Sequence, residues 1–321
     1  MTANPTIQFF DFHPPLADLK QEVLTGLTEH PKAISPKFFY DEYGSQLFDK
    51  ITELPEYYPA RTEMEILKTY RQEMTAYLGA ECLLLELGSG SSQKVRLLLE
   101  ALRPAIYLPI DISKDFLLHS AQALAQEYPD LEVHAACVDY SAEFQLPHYP
   151  EEMPRAAFFP GSSIGNFEPQ QAQVLLQRIA QALGTEAHLL IGVDLKKDPE
   201  RLNAAYNDAQ GVTAAFNLNL LTRINRELSA DFAVEQFSHQ AFYNADHGRV
   251  EMHLVSEASQ QVHVDGQGFT FQEQETIHTE NSYKYSIEQF HTLAAHSGFE
   301  AQAVWTDAEQ LFSVHCLRVV A

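Results

Sequence analysis

The sequence predicts an α/β fold, in which a doubly wound and mainly parallel sheet of seven strands is accompanied by a second, α+β lid domain. Two observations carry this prediction. Short apolar segments alternate with segments of helical period between residues 82 and 194, which is typical of parallel strands joined by right-handed crossover helices. Residues 286–321 then show one helical segment and two strand segments separated by a short turn, so a final antiparallel hairpin is expected to complete the sheet.

The individual elements follow from the length and the periodicity of the apolar runs. Strands are expected at 82–87, 105–111, 131–138, 156–160 and 187–194. Helices are expected at 94–102 and 113–127 between these strands, and at 16–29 and up to residue 78 before them.

The alternation of strands and helices ends after residue 195. Residues 197–235 have a helical pattern, and residues 237–281 indicate an antiparallel meander punctuated by NADHG and VDGQG, which are turn-forming segments. This block is predicted to be an insertion that packs with residues 1–60 as the lid. The predicted domains are 61–196 with 286–321, and 1–60 with 197–285.

Composition and charge exclude several classes of partner. The 21 basic and 44 acidic residues give a net charge of −23, which would repel both a nucleic-acid backbone and an anionic membrane. No apolar run approaches the length of a membrane span, and the start MTANPTIQFFDFHPP lacks the basic and apolar blocks of a signal peptide. We expect a cytoplasmic protein that binds neither nucleic acid nor membrane, and we expect a monomer.

The cysteines and histidines do not show the spacing of metal ligands. Cys82, Cys137 and Cys316 are odd in number, far apart and embedded in apolar segments, so buried reduced thiols are expected rather than disulfides. The closest pair of histidines, His291 and His296, does not share one helical face, and no CxxC-like or HExxH-like cluster is present. The sequence therefore predicts no metal site.

The stretch CLLLELGSGSSQKVRLLL, residues 82–99, places a glycine turn between a strand and a helix. Because glycine tolerates positive φ and has no Cβ, such a turn brings backbone N–H groups close to a ligand. Gly88, Ser89 and Gly90 lack the third glycine of the dinucleotide fingerprint and do not fit a P-loop. Neither NAD nor a nucleoside triphosphate is favoured, and a nicotinamide-dependent dehydrogenase remains possible only if the turn is considered without the final hairpin.

Acidic residues follow three successive strands of the predicted sheet. Asp111 can accept both ribose hydroxyls of a nucleoside above the glycine turn, and Asp139 can accept the adenine amino group while Tyr140 stacks on the base. Together with Glu86 they suit a ligand that carries a nucleoside and a positive charge but no phosphate, such as S-adenosylmethionine. Alternatively, each acid is only a turn residue. Lys94 is either solvated or close to the cofactor carboxylate.

A loop at the carboxyl end of the fourth strand, FFPGSSIGNFEP (158–169), is the candidate substrate loop. It lies beside the first strand, where doubly wound sheets bind their ligands. Gly161 and Gly165 let main-chain groups line the crevice, and Asn166 offers one acceptor and two donors. Alternatively, Asn166 only caps the helix that begins near Pro169.

Seven segments then carry a resemblance to a known family. They are KFFYDEYGSQLFDKITELPEYYPARTE, LELGSGSSQKVRLLLEAL, YLPIDIS, FFPGSSIGNF, AAYNDAQGVTAAFN, NRELSADF and HTENSYKY, in this order along nearly the whole chain. The chain resembles the histidine-specific Nα-methyltransferases that form hercynine in ergothioneine biosynthesis. The resemblance implies the class I S-adenosylmethionine-dependent methyltransferase fold, with a histidine pocket shared between the sheet and a substrate-binding lid.

The resemblance also implies roles for matching residues on the substrate side. Asn166 and Tyr206 would hold the substrate carboxylate, and Gly161 would act near the α-amine. Tyr40 and Phe48 would lie beside the amine, where aromatic faces stabilise a cation. The implied catalytic set is Tyr40, Asn166 and Gly161.

The imidazole and the cofactor have their own implied contacts. Tyr57, Glu280 and Ser282 would recognise the imidazole, and Met252 would shape the side-chain pocket. For the cofactor, the resemblance implies Gly88, Lys94, Asp111, Asp139 and Tyr140. The full predicted cofactor-binding set is Glu86, Gly88, Ser89, Gly90, Lys94, Asp111, Asp139 and Tyr140.

The implied reaction is the trimethylation of the α-amino group of L-histidine, with S-adenosyl-L-homocysteine as the product of the cofactor. Direct in-line transfer from a sulfonium needs alignment and a dry site rather than a nucleophilic residue or a metal. One alternative is an N-methyltransferase of another aromatic amino acid such as a tryptophan derivative, against which Glu280 and Met252 argue. Another is a module that senses an amino acid without turnover, which Asp111 and Asp139 disfavour.

Overall fold

The computed structural model describes residues 7–12, 16–90, 93–142, 144, 146–150 and 152–320. The signal-peptide expectation therefore falls partly on residues outside the described chain, namely 1–6 and 13–15. Two compact units are present. The first comprises the described parts of 1–13, 59–196 and 283–321, and the second those of 14–58 and 197–282.

The helices and strands of the described chain are numbered in sequence order. The strands are β1 (Gln8–Asp11), β2 (Lys32–Ala33), β3 (Leu83–Leu87), β4 (Ile106–Asp111), β5 (Glu132–Cys137), β6 (Arg155–Phe159), β7 (His188–Asp194), β8 (Phe237–Asn244), β9 (Arg249–Ser256), β10 (Gln260–Val264), β11 (Gln267–Phe271), β12 (Thr276–Tyr283), β13 (Phe299–Thr306) and β14 (Phe312–Val319). The helices are α1 (Leu16–Thr28), α2 (Glu42–Glu53), α3 (Tyr58–Leu78), α4 (Gln93–Leu102), α5 (Lys114–Glu127), α6 (Pro169–Leu183), α7 (Pro199–Ala205), α8 (Val212–Leu228) and α9 (Ile287–Ala295).

The first unit is built on a sheet with the strand order β1-β5-β4-β3-β6-β7-β14-β13. Strands β3 to β7 pair in parallel, and β14 runs antiparallel to both β7 and β13. The predicted parallel sheet with a final antiparallel hairpin is confirmed, and each parallel strand lies within one residue of its predicted bounds. This is the class I methyltransferase architecture.

The sheet has eight strands rather than the predicted seven. The additional strand is β1, which pairs in parallel with β5 at the edge of the sheet. The assignment of residues 1–60 to the lid was therefore wrong for residues 8–11. Four residues are too few to show a period in the sequence, and the backbone groups of the β5 edge decide the pairing instead.

The central strands are predominantly apolar because helices cover both faces of the sheet. Alternate residues of β3 enter different cores. Leu85 belongs to a cluster that includes residues of α6 and α9, whereas Leu84 belongs to one that includes residues of α3, α4 and α5. The strands therefore end in rigid, fully packed surroundings, which hold the loops at their carboxyl ends in place.

The second unit contains a four-stranded sheet of order β2-β12-β9-β8 and a separate hairpin of β10 and β11. The predicted meander is confirmed for the antiparallel pairs β8 with β9 and β10 with β11. Strand β12 returns to β9 instead of continuing from the hairpin, and β2 adds to it in parallel. The predicted helical block is split by a turn before α8, whose N-cap is Gly211 with a φ of +73°. Asp208 supports this turn by accepting the N–H groups of Val212 and Thr213 at 2.9 and 2.8 Å.

The three cysteines confirm their predicted state. Cys82, Cys137 and Cys316 are free and buried. Burial raises the pKa of the Cys82 thiol to about 11 and that of the Cys137 thiol to about 12, so both are protonated at neutral pH. Among the described helices, none combines the length and the apolar character that crossing a bilayer requires.

Candidate active site

The glycine turn after β3 adopts a conformation that requires glycine. Gly88 and Gly90 have φ angles of +66° and +48°, in the left-handed region that side chains disfavour. The N–H of Gly88 donates to the Ile110 carbonyl at 2.8 Å, which ties the turn to β4. A Cβ added at Gly88 would lie 3.3 Å from the Tyr140 hydroxyl, so the turn and Tyr140 are neighbours.

Asp111 lies at the end of β4 and is held by the turn. Its Oδ2 accepts the N–H of Gly90 at 3.0 Å, and its Oδ1 accepts the N–H of Ser113 at 2.9 Å. Burial raises the pKa of Asp111 while these backbone hydrogen bonds oppose the rise. Because a carboxylate has about four acceptor positions, Asp111 keeps acceptor capacity for a ligand hydroxyl beside its backbone hydrogen bonds.

Ser89 lies between the two glycines, and its hydroxyl group indicates that a ligand fits at the turn. Its residue is 5% exposed, and its hydroxyl oxygen is buried without a hydrogen-bond partner in the described part of the chain. Buried hydroxyls in native proteins almost always have a partner. This hydroxyl lies in a glycine turn whose neighbour Asp111 retains acceptor capacity, and such a site fits a nucleoside cofactor.

Asp139 and Tyr140 follow β5, as predicted. One carboxylate oxygen of Asp139 accepts both the main-chain N–H of Ser141, at 2.9 Å, and the Ser141 hydroxyl. The ring of Tyr140 packs edge-on against Phe159, with centroids 5.6 Å apart. Burial, together with the charges of Asp111 and Asp139, raises the pKa of the Tyr140 phenol well above its ordinary value. The phenol beside the glycine turn is therefore neutral at physiological pH.

The position of Glu86 argues against the predicted cofactor role. It is 1% exposed, and its carboxyl accepts the hydroxyl of the fully buried Tyr107. Strand alternation explains this position, because Glu86 is on the same face of β3 as Leu84 and enters the core under α3 and α4. Burial raises the pKa of Glu86 to about 8.

Replacement of Glu86 by glutamine is expected to change how stability depends on pH. The folded protein holds a proton on Glu86 up to about pH 8, whereas the ordinary value for glutamate is 4.5. Unfolding therefore releases a proton between these values, and the free energy of unfolding falls as pH rises, by at most about 1.4 kcal/mol per pH unit. Glu86→Gln should flatten this decline in urea denaturation at about pH 5 and about pH 8.

The exposed Glu100 of α4 is the control for this experiment. Glu100→Gln should retain the decline of the parent protein. An equal decline in Glu86→Gln and in the parent would show that the proton on Glu86 does not govern stability.

Glu63, near the start of α3, is a residue of the site that sequence reasoning missed. It is fully buried, and its carboxylate lies 2.5 Å from Lys94 Nζ. It also accepts the main-chain N–H of Gly161, at 2.9 Å from Oε2 and 3.1 Å from Oε1. Lys94 is therefore paired with Glu63 rather than only solvated. Within the first unit, the Glu63 carboxylate contacts both Lys94, on the cofactor side, and Gly161, in the substrate loop.

The substrate loop has a strained start and a well-defined end. Gly161 has a φ of +80° and Ser162 a φ of +59°, and a 3-10 turn spans Ser163–Asn166. The cap of α6 is Glu168, which forms a capping box with Gln171. The alternative that Asn166 caps this helix was therefore wrong, and the half-buried Asn166 side chain has no capping duty.

A buried ion pair supports this loop. Lys284 Nζ lies 2.8 Å from Asp194 Oδ2, and both side chains are 1% exposed. Asp194 is the last residue of β7, and its main-chain N–H donates to the Ser162 hydroxyl at 2.9 Å. The ion pair thus fixes the end of β7 and, through Ser162, the left-handed turn of the loop.

In the second unit, four predicted substrate residues form one aromatic group. The ring centroids of Tyr40 and Phe48 are 5.6 Å apart, those of Phe48 and Tyr57 6.3 Å, and those of Tyr57 and Tyr206 6.2 Å. Phe216 of α8, which sequence reasoning missed, lies 5.7 Å from Tyr40 and 6.0 Å from Phe48. Its place in the helical segment AAYNDAQGVTAAFN was the only sequence signal.

A polar pair lies at one end of this group. The Tyr206 hydroxyl donates to Ser282 Oγ at 2.7 Å, so these two predicted residues are brought together. Ser282 is 4% and Glu280 9% exposed, and both are on β12. The neighbouring strand β9 contributes the buried Met252, whose carbonyl accepts the Thr279 hydroxyl at 3.1 Å.

The described chain contains one group of three side chains that have potential metal donors, Glu251, His253 and His278. In the structure they form a hydrogen-bonded stack. His253 Nε2 lies 3.1 Å from Glu251 Oε2, and the two imidazole rings are stacked with centroids 4.6 Å apart. Because an imidazole binds a metal in its ring plane, two stacked rings do not converge on one ion as they stand. Burial lowers the pKa of both histidines.

The first unit combines a glycine turn, the carboxylate of Asp111 with acceptor capacity for hydroxyl groups, and a final antiparallel hairpin. These features are those of a class I methyltransferase with a nucleoside cofactor. The chain matches the family described as histidine-specific, SAM-dependent methyltransferases over residues 19–319. It belongs to that family, and it is an enzyme that takes its methyl group from S-adenosylmethionine.

The similar proteins agree with this assignment. The chain is 43% identical over 296 residues to the histidine N-alpha-methyltransferase of Mycolicibacterium smegmatis, covering 90% of this chain and 91% of that protein. It is 41% identical over 295 residues to the protein of the same name in Mycobacterium tuberculosis, with the same two coverages. It is 32% identical over 298 residues to ergothioneine biosynthesis protein 1 of Neurospora crassa, covering 89% of this chain and 33% of that longer protein.

Proposed function

We propose that the enzyme methylates the α-amino nitrogen of L-histidine three times and so forms hercynine, a step of ergothioneine biosynthesis. Membership in the histidine-specific family and the names of the mycobacterial and Neurospora relatives support the proposal. The structural observation that carries it is the buried polar set of Glu280, Ser282 and Tyr206 in the second unit. Such a set suits the donor N–H and the acceptor nitrogen of a neutral imidazole, which neither an indole nor a phenyl ring offers together.

The proposed cofactor site lies in the first unit. Asp111 accepts the ribose hydroxyls with the acceptor positions that Gly90 and Ser113 leave over. Tyr140, Asp139 and the Ser89 hydroxyl are proposed for the adenosine, and Lys94 for the carboxylate of the methionyl part. A bound S-adenosylmethionine supplies an electrophilic methyl carbon.

The proposed substrate contacts are divided by chemistry. Asn166 and Tyr206 are proposed for the substrate carboxylate, and Gly161 for the α-amine. Because the N–H of Gly161 is already bonded to Glu63, its carbonyl is the group that can accept a hydrogen bond from the amine. An α-amine has a reference pKa of about 8, so it must be held as the neutral form before transfer.

The aromatic group supports the later methylations. The rings of Tyr40 and Phe48 present π faces, which attract cations by roughly 0.5–2 kcal/mol each. Such faces accommodate an amine that gains methyl groups and lacks hydrogen-bond donors in the final product. Tyr57 is proposed for the imidazole and Met252 for the wall beside it.

The pairing of Tyr206 with Ser282 bears on imidazole recognition. The two hydroxyl oxygens lie 2.7 Å apart, and a serine hydroxyl can both donate and accept. A neutral imidazole has one N–H donor and one acceptor nitrogen. Glu280 as acceptor and Ser282 as donor match both, and losing either partner costs roughly 1–3 kcal/mol.

The decisive experiment incubates the protein with S-adenosylmethionine labelled in the methyl group and with each proteinogenic amino acid separately. The expected result is label in histidine alone, with a mass gain that corresponds to three N–H hydrogens replaced by methyl groups. Label in tryptophan or one of its derivatives, or binding of an amino acid without transfer, would contradict the proposal. We also propose that the protein is a cytoplasmic monomer. Its net charge of −23 disfavours binding to nucleic acid and to anionic membranes, and gel filtration with light scattering tests the oligomeric state.

A further inference from the structure

Glu63 is a buried carboxylate that has no assigned part in the proposed reaction. None of its surface is exposed, and it accepts from both Lys94 Nζ and the Gly161 main chain. Burying a charge is costly unless it is paired and hydrogen-bonded. All three residues belong to the first unit, and they join α3, α4 and the substrate loop through a single side chain.

The sheet is shaped to accept this carboxylate. Gly192 lies within β7, and a Cβ at that position would come within 2.1 Å of Glu63 Oε1. Real Cβ atoms do not approach an oxygen so closely, so the glycine provides the space that Glu63 occupies. The place of Glu63 is therefore defined by the helix, by the strand and by its two partners.

The contact with Glu63 leaves N–H donors of the Lys94 ammonium available for the cofactor. An ammonium has three donors, and the bond to Glu63 uses one of them. The Lys94 side chain retains 20% exposure, so an incoming carboxylate can reach the others. Lysine has a long and flexible stem, and the ion pair selects one of its many conformations before the cofactor arrives.

We propose that Glu63 is a positioning residue for methyl transfer, which holds the Lys94 ammonium in place for the cofactor carboxylate and fixes the Gly161 main chain where the substrate amine is bound. The inference rests on the roles proposed for Lys94 and Gly161. In this proposal, the Glu63 carboxylate links cofactor binding to the geometry of the substrate loop.

The first test measures the affinity for S-adenosylmethionine by calorimetry on the full chain, without an amino acid. Glu63→Gln keeps an acceptor for Gly161 but removes the ion pair, and it is expected to weaken cofactor binding about tenfold, the effect of one charge-assisted hydrogen bond. Lys94→Ala should weaken binding as well. The double variant should bind no more weakly than Lys94→Ala, because Glu63 acts through Lys94.

The loss of the Glu63 charge also has an effect that would strengthen cofactor binding. Without Glu63, a negative charge that repels the cofactor carboxylate is absent. Unchanged or tighter binding in Glu63→Gln would therefore overturn the inference, as would additive losses in the double variant. None of these titrations contains histidine, so a failure here is distinguishable from a failure of histidine methylation.

The second test separates the Gly161 contact from the Lys94 contact. Glu63→Met has a similar length but no acceptor, so the Gly161 N–H loses its partner. At saturating cofactor, kcat is expected to fall about tenfold further in Glu63→Met than in Glu63→Gln. Equal kcat values in the two variants would overturn the assignment of Gly161 to Glu63.

Glu73 provides a matched control on the same helix. Its carboxylate accepts the indole N–H of Trp305 at 3.1 Å, so Glu73→Gln makes the same chemical change at another hydrogen-bonded position of α3. This variant should retain cofactor affinity and kcat. Melting temperatures of all variants identify losses that come only from unfolding, which would lower both parameters alike.

Discussion

Replacement of Glu280 by alanine is expected to lower kcat/KM for histidine about 10- to 100-fold, because the variant leaves the imidazole N–H without its acceptor in a buried site. Glu280 is 9% exposed and lies two residues from Ser282 on β12. It belongs to the second unit, whereas the glycine turn belongs to the first. The affinity for S-adenosylmethionine, measured by calorimetry, should therefore remain unchanged.

Glu273→Ala is a suitable control for this variant. Glu273 is an exposed carboxylate between β11 and β12, and its replacement should leave both kcat/KM and cofactor affinity intact. The role of Glu280 in imidazole recognition would be refuted if Glu280→Ala lost its cofactor affinity but bound histidine as tightly as the parent.

Replacement of Lys284 by methionine is expected to lower the free energy of unfolding by about 3–5 kcal/mol, because it removes the ammonium that is paired with the buried charge of Asp194. Both side chains are 1% exposed, so water cannot compensate for the loss. Urea denaturation followed by circular dichroism measures the change. The loop at Ser162 should also become more mobile, since Asp194 donates to its hydroxyl.

The double variant Lys284→Met with Asp194→Leu distinguishes the ion pair from simple packing. Replacing both charges by apolar groups is often close to neutral, so most of the lost stability should return. If Lys284→Met alone stayed within about 1 kcal/mol of the parent, the pair would behave like a surface salt bridge and its proposed structural importance would be wrong.

The parallel strands could be predicted from the sequence because each is a short apolar run with clear boundaries. The glycine turn and Asp111 could be predicted for a related reason, since strand ends of a parallel sheet meet at one edge. Gly90 and Asp111 are indeed hydrogen-bonded at 3.0 Å. Features that depend on a local pattern or on the topology of the sheet could therefore be predicted from the sequence.

Features that depend on contacts between distant segments were not accessible. Glu63 lies 31 residues from Lys94 and 98 from Gly161, and no local pattern indicates either contact. The four residues of β1 carry no period of their own. Phe216 lies on a helix where an aromatic residue is an ordinary core residue.

Glu86 shows how a motif can mislead. It precedes the glycine turn, so its position in the sequence suggested a ligand contact. Strand alternation places it beside Leu84, which enters the core, and Leu84 pairs with Tyr107 in register. The hydroxyl of Tyr107 then satisfies the carboxyl. Applying the two-residue period to both neighbouring strands would have predicted this burial.

The place of β14 has a consequence for how the protein is made in the cell. This strand lies between β7 and β13, and more than a hundred residues separate it from its partner β7. While the ribosome is still synthesising the intervening residues, the growing chain exposes the β7 edge with its unsatisfied backbone groups. Nascent chains at that stage are the ones that chaperones would need to protect from aggregation.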